Sequence, residues 1–454
     1  MPGGRGLGRY KEITSSEIRE VIFLEALARM HTYLEYGGSV DVLDDTYQSL
    51  MFLGPPGVGK SVLQKVGLGD VAAYLSDVRG ERVEVRKVSL RVSSEDAVAV
   101  ANEVAAGRAA PYVHLYLPQT KIWHLEGTPS PADTYVEVAG VKVPVNVWRV
   151  DSYLLPLMVV AGDKRRVVPG LLVLDEFNMA RKEVLDALFQ LARSAEIGRA
   201  KLSPFTVISL VGNTPETNID AVRQLAAPLV DRAQNYVVSA PDVPGWLAYM
   251  NEVYGNKWAH EVGAFLALNK SYIYMQDESN PSILHTPRGW THVATKIHVL
   301  RRMLSEGVVD REKFWKHVER VVYGTLVNEV ADELVAFLRG LSAVSVQAVL
   351  EDPRVLRGLD RNVVAYLTVK VSSSLASEYV YEQDRRRKEE IAGKLVEVVE
   401  NAKHTLGAEA VALVLTSLPA PVRLTLAKRV GEDTVSMASK TRRVARELEE
   451  LLAG

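Results

Sequence analysis

The stretch SLMFLGPPGVGKSVLQ, residues 49–64, runs an apolar segment into a glycine-rich turn and then directly into a lysine and a serine. Met51, Phe52 and Leu53 read as a short buried strand, Gly54 to Gly59 as a loop, and Lys60 onward as the first turn of a helix. Gly54, Gly59, Lys60 and Ser61 match G-x-x-x-x-G-K-[ST] at the required spacing and in the required strand-to-helix setting. Gly57 and Gly59 accept backbone angles closed to other residues, so consecutive N–H groups are able to curl around phosphate oxygens. The helix that follows aims its positive end at the same anion. The expected phosphate-binding segment is therefore Gly54, Pro55, Pro56, Gly57, Val58, Gly59, Lys60, Ser61 and Val62. Lys60 is expected to reach the β and γ phosphates of a nucleoside triphosphate, and the Ser61 hydroxyl to ligate Mg²⁺.

The rest of the chain limits what such a loop serves. At 454 residues, 47% of them hydrophobic, two or three domains are expected, each with enough apolar residues for a core. A net charge of -2 argues against nucleic-acid binding by bulk positive charge, while leaving local patches open. The chain has no cysteine, which excludes disulfides and thiolate metal sites and fits a reducing interior. The N-terminus lacks the apolar core of a signal peptide and no apolar run approaches about 18 residues, so a cytoplasmic chain with no membrane span is expected.

After the loop, RVEVRKVSLRV alternates like a strand, SEDAVAVANEVAAGRAA is helical, and YVHLYLP is again strand-like. A helix with Ser15 and Ser16 as candidate caps precedes the loop, running to Tyr36. Strands alternating with helices predict a mostly parallel sheet covered on both faces. Tyr135 to Val145 reads as a hairpin projecting from that sheet, and AEIGRAKLSP as a second, smaller one. From Asp242 onward strand signals nearly vanish and helical patterns fill the remainder.

Two further segments carry chemistry. In PGLLVLDEFNMAR, Leu171 to Leu174 suit a buried central strand, and Asp175 and Glu176 emerge at its C-terminal end, where open α/β sheets keep their sites. Asp175 is expected to hold Mg²⁺ through water, and Glu176 to orient and polarise the attacking water. In FTVISLVGNTPETN, Asn213 follows the strand Phe205 to Val211 and is placed to sense the γ phosphate; an Asn before Thr-Pro is also simply a good turn former.

The motif, LVLDEFNMA, VGNTPETN, AAPLVDRA and ILHTPRGW occur in the order found in AAA+ ATPases, and the chain most resembles their MoxR-like branch over about residues 45 to 350. That resemblance implies a P-loop AAA+ core of the α/β class, with a parallel sheet flanked by helices, then an α-helical lid and a C-terminal helical region. The corresponding divisions are 1–45 as a helical lead-in, 46–240 as the nucleotide-binding domain with an insertion around 118–168, 241–345 as the lid, and 346–454 as the C-terminal region. It also implies ATP and Mg²⁺ as cofactors and hexamer-type rings in which a neighbour completes each site. By position, Arg232 looks like the arginine finger and Arg288 like the lid arginine of the second sensor. Ala233 replaces the usual Phe after the Asp-Arg pair, which leaves Arg223 as a rival for the finger. A guanidinium at the γ phosphoryl is worth about 10³ to 10⁵ in rate.

Insertions on a rigid scaffold are where partners are met, so Trp123, Tyr135 and Trp148 are candidates for a ring face or pore, or for packing the insertion itself. His292 and His298 lie six apart on the expected lid helix and do not make a metal site. The basic runs EQDRRRKEE and KTRRVARELEELL interleave acids with bases and read as solvated faces. The function expected is ATP hydrolysis driving ring-based remodelling or chaperone-like action on a protein client, beside a partner with a von Willebrand factor type A domain. The alternatives are a nucleic-acid motor of the McrB-like or helicase-like kind and an ATP-gated scaffold.

Overall fold

A computed structural model describes residues 11–39, 43, 48–129, 134–138, 141–145, 148–197, 200–214, 231–276, 284–341, 346–407, 418–419 and 421–423. Its centre is a seven-stranded sheet of β1 (Lys11–Thr14), β2 (Ser49–Leu53), β3 (Glu84–Val88), β4 (Ala109–Tyr116), β5 (Gly170–Asp175), β6 (Thr206–Gly212) and β7 (Ala233–Ala240). The strands lie in the order β1-β7-β2-β6-β5-β4-β3, every neighbouring pair parallel. The central strands β2 and β6 are buried along their whole length, as expected where helices cover both faces, whereas the edges KEIT and EVRKV are polar and partly exposed. The α/β class with a parallel sheet flanked by helices is therefore present.

Alternation divides the core between the two faces. Leu50, Phe52, Leu171 and Val173 pack with Ile22, Leu27, Val71 and Tyr74 from helices α1 (Ser15–Glu35) and α2 (Lys60–Arg79). On the other face Met51, Leu53, Leu172 and Leu174 pack with Leu188 and Leu191 of a helix that follows β5. Gly67 lets α1 and α2 approach closely: an added Cβ would stand 2.7 Å from the Arg19 carbonyl oxygen. Ser93 caps helix α3 (Ser94–Ala105), which joins β3 to β4, and the helix after β5 is α4 (Lys182–Ser194).

Two expectations at the N-terminus change. The lead-in is not only helical, since β1 adds a parallel strand to β7. The α1 cap is Thr14, whose N–H donates to Glu17 at 2.7 Å, rather than Ser15 or Ser16. Those two hydroxyls instead donate to Asp242, at 3.1 and 2.5 Å.

Between β4 and β5 the insertion contains the expected hairpin, Thr134–Val138 with Val141–Val145, as a separate two-stranded sheet. The smaller hairpin before β6 is also present, pairing Glu196–Ile197 with Ala200–Lys201. Trp123 is 49% exposed, while the side chains of Tyr135 and Trp148 lie outside what is described.

Beyond β7 the described elements are helical apart from a two-residue pairing of Met275–Gln276 with Leu284–His285. They include α5 (Val243–Tyr254), α6 (His260–Leu268), α7 (Pro287–Ser305), α8 (Arg311–Tyr323), α9 (Asn328–Gly340), α10 (Arg361–Tyr381) and α11 (Arg385–Leu406). The helical pattern REKFWKHVERVVYGTLVNEVADELVAFLRGL, which contains α8 and α9, is broken at Gly324 to Val327, where Val327 is extended. One apolar core built on Trp246, Trp258, Phe265 and Trp290 continues through Leu367 and Leu395 to Leu418 and Val422, so it runs across residue 345.

The C-terminal segment also reaches the α/β half. Arg19 binds Asp70 of α2 through a bidentate pair and donates to the Leu418 carbonyl at 2.5 Å. Arg423 lies 3.3 Å from Glu20 and 3.9 Å from Asp70, and Lys388 of α11 donates to Asp77 of α2 at 2.6 Å.

Candidate active site

The register brings the chemistry to one end of the sheet. Leu53 pairs with Gly212, Val211 with Asp175, and Asp175 with Tyr116, so the carboxyl ends of β2, β6, β5 and β4 open side by side. That end is where parallel sheets bind ligands. A cleft of about 350 Å³ lies there, within the range of small-molecule sites, walled by the loop from Pro56 to Val62, by Asp175, Glu176 and Asn213, and by Arg288.

Gly57 and Gly59 stand at φ +80° and +93°, left-handed angles that a side chain strains to adopt, and Gly59 leads straight into α2. The Lys60 ammonium folds over its own loop, donating to the Gly54 and Pro55 carbonyls at 2.7 Å each, and reaches the Asn213 side-chain oxygen at 3.4 Å. Burial disfavours its charge more than Asp175 and Glu176 favour it, and its pKa falls to about 8.

Ser61 Oγ donates to Asp175 Oδ2 at 2.7 Å. A hydroxyl and a carboxylate oxygen side by side, next to an amide-lined loop, form a hard-oxygen donor set suited to Mg²⁺ that is shared with phosphates. Among the described residues no group of three or more His, Cys, Asp or Glu side chains is placed to hold a metal ion by itself. Burial pushes the Asp175 pKa up, but hydrogen bonds from His114 and Ser61 and the Glu176 N–H outweigh it, and the net shift is downward. Asp175 is thereby held ionised.

Glu176 occupies the left-handed region at φ +53°, a conformation costing a non-glycine residue on the order of 1–3 kcal/mol. Its N–H donates to Asp175 Oδ1 at 3.0 Å and its carboxylate accepts from Tyr116 at 2.8 Å. The bend turns Glu176 out of the strand direction and into the cleft mouth. Asn213 is held by the buried Asn178, which donates to the Asn213 carbonyl at 2.8 Å.

Arg288 sits in the first turn of α7, behind Pro287, and the preceding Thr286 lies against the loop, 3.4 Å from where a Gly57 Cβ would be. Trp246 of α5 ties this helix down, its indole N–H donating to the Pro287 carbonyl at 3.0 Å and to Thr291 at 2.9 Å. Arg232 is not brought in. It precedes Ala233, which pairs with Ser49 at the amino end of β2, so it sits at the end of the sheet opposite the cleft of its own chain. Arg223 lies outside the described residues.

His114, Tyr116 and Asn178 escaped the sequence reading. The signal for the first two was the alternation in YVHLYLP, which puts two polar residues on one face at the carboxyl end of a strand. For Asn178 it was an amide side chain two residues past the acidic pair.

No protein-family model and no curated protein sequence matches the chain. Among solved structures it is similar to the Aeropyrum pernix ORC2 protein in its ADPNP-ADP complexes, at 12% identity over 94% of this chain and 93% of that one, with a TM-score of 0.29. That likeness is too loose to transfer the role of any residue.

Proposed function

We propose that this chain binds and hydrolyses ATP with Mg²⁺ as an AAA+ ATPase of the MoxR-like kind, and that turnover in a ring drives remodelling of a protein client. The observation that carries the reading is the 2.7 Å contact between Ser61 and Asp175, with Lys60 and Glu176 at the same cleft. In this reading the loop amides and Lys60 hold the β and γ phosphates, and Ser61 and Asp175 hold the cation. Bound Mg²⁺ supplies charge neutralisation across the phosphates. Glu176 orients a water and accepts its proton as the water oxygen bonds to the γ phosphorus and the bond to the bridging oxygen breaks, leaving ADP and phosphate. Asn213 touches the γ phosphoryl and Arg288 balances its growing charge from the lid side.

Arg232, remote from its own cleft, is assigned to the site of a neighbouring subunit, which makes hydrolysis depend on assembly. The von Willebrand factor type A partner is part of the same proposal and rests on the motif resemblance alone. Turnover tests the reading: the wild-type chain is expected to bind Mg²⁺-ATP and release phosphate, and Lys60→Ala to do neither. A wild-type chain that binds no ATP overturns it, and binding without release leaves an ATP-gated scaffold in its place.

A further inference from the structure

We propose that His114 is a positioning residue for the divalent cation, its imidazole fixing Asp175 Oδ2 toward Ser61 and so setting how tightly the metal is held. The inference rests on the reading of the cleft as a Mg²⁺-nucleotide site. His114 and Tyr116 lie two residues apart on β4, hence on one face, and β4 neighbours β5 with His114 opposite Val173 and Tyr116 opposite Asp175. From that face His114 Nε2 stands 2.9 Å from Asp175 Oδ2, the same oxygen that accepts from Ser61, while Tyr116 takes Glu176. The neighbouring strand thus provides one donor for each of the two acidic side chains.

Asp175 is an acceptor only, so the imidazole donates from Nε2. Its ring lies 23° from the plane of the buried Tyr112 ring, also two residues away on the same face, at a centroid distance of 6.4 Å. With Glu176 N–H on Oδ1 and His114 and Ser61 on Oδ2, the carboxylate is fixed from both ends. A His-Asp pair that is partly open to solvent, His114 at 33% and Asp175 at 20% exposed, contributes little to stability, so its consequence falls on orientation. Partners that orient a metal-binding carboxylate typically govern affinity 10- to 100-fold when removed.

The experiment uses the full chain, a non-hydrolysable ATP analogue and Mn²⁺ as the probe, with free Mn²⁺ followed by electron paramagnetic resonance. His114→Ala is expected to weaken Mn²⁺ binding by about 10- to 100-fold, and His114→Gln, which keeps a donor near the position of Nε2, by no more than about threefold. Analogue affinity in EDTA is expected to be the same in all three proteins, a result that a merely misfolded variant would not give. If His114→Ala does not fold, His114→Leu replaces it, keeping bulk without a donor. Mn²⁺ affinity within about twofold of wild type in the donor-less variant overturns the assignment, as does equal loss in the Gln variant. Wild-type protein that binds neither analogue nor Mn²⁺ refutes the nucleotide-site reading, whereas normal wild-type binding with an unaffected Ala variant refutes only the role of His114.

Discussion

The Lys60 ammonium is the side chain whose charge the cleft tunes most plainly. Its pKa is lowered to about 8, chiefly by burial. Only the charged form pairs with a triphosphate, and pairing raises its pKa again. Affinity for Mg²⁺-ATP is therefore expected to be level below pH 8 and to fall about tenfold per unit above it, as measured by equilibrium binding across pH 6.5 to 10. A flat profile through pH 9 would contradict this. At this scale the motif residues were legible because the chemistry fixes both residue types and spacing: Gly59, Lys60 and Ser61 are consecutive, and Asp175 ends an unbroken apolar strand. His114 and Tyr116 were not, because their partners sit on another strand and only the register pairs them.

Among the elements, α2 links the cleft to the C-terminal segment, for it starts at Lys60 and carries Asp70 into the contact with Arg19, which donates to the Leu418 carbonyl. Arg19 and Asp70 are each 3% exposed, and removing Arg19 leaves the buried Asp70 carboxylate with only the more distant Arg423, at 3.9 Å, among the cations named here. Arg19→Ala is expected to cost about 3–5 kcal/mol in denaturant unfolding, and the double change Arg19→Met with Asp70→Leu to recover most of it. A loss below about 1 kcal/mol in the single variant would show that the pair is solvated. The long strands and helices of this layer were readable from periodicity. β1 was not, since KEIT has one buried residue, Ile13, and its strand form comes from pairing with β7. Nor was the break between α8 and α9, where an extended Val327 interrupts a pattern that is apolar at helical spacing on both sides.

For the whole molecule, the parallel sheet gathers the carboxyl ends of four strands at one cleft and leaves Arg232 at the opposite, amino end of the strands. If Arg232 serves a neighbour, a chain lacking it and a chain lacking Glu176 are complementary. Mixtures of Arg232→Ala and Glu176→Gln proteins are expected to regain phosphate release that neither has alone, and no recovery at any ratio would place the finger elsewhere. Among the described residues no helix is long and apolar enough to cross a membrane. The central claim, that the loop, the cation-holding pair and Glu176 act on one terminal phosphoryl group, is tested most directly by single-turnover phosphate release from wild-type and Glu176→Gln protein preloaded with Mg²⁺-ATP. The account predicts equal loading and release about 10²- to 10⁴-fold slower in the Gln variant; equal release rates from the two proteins would contradict it.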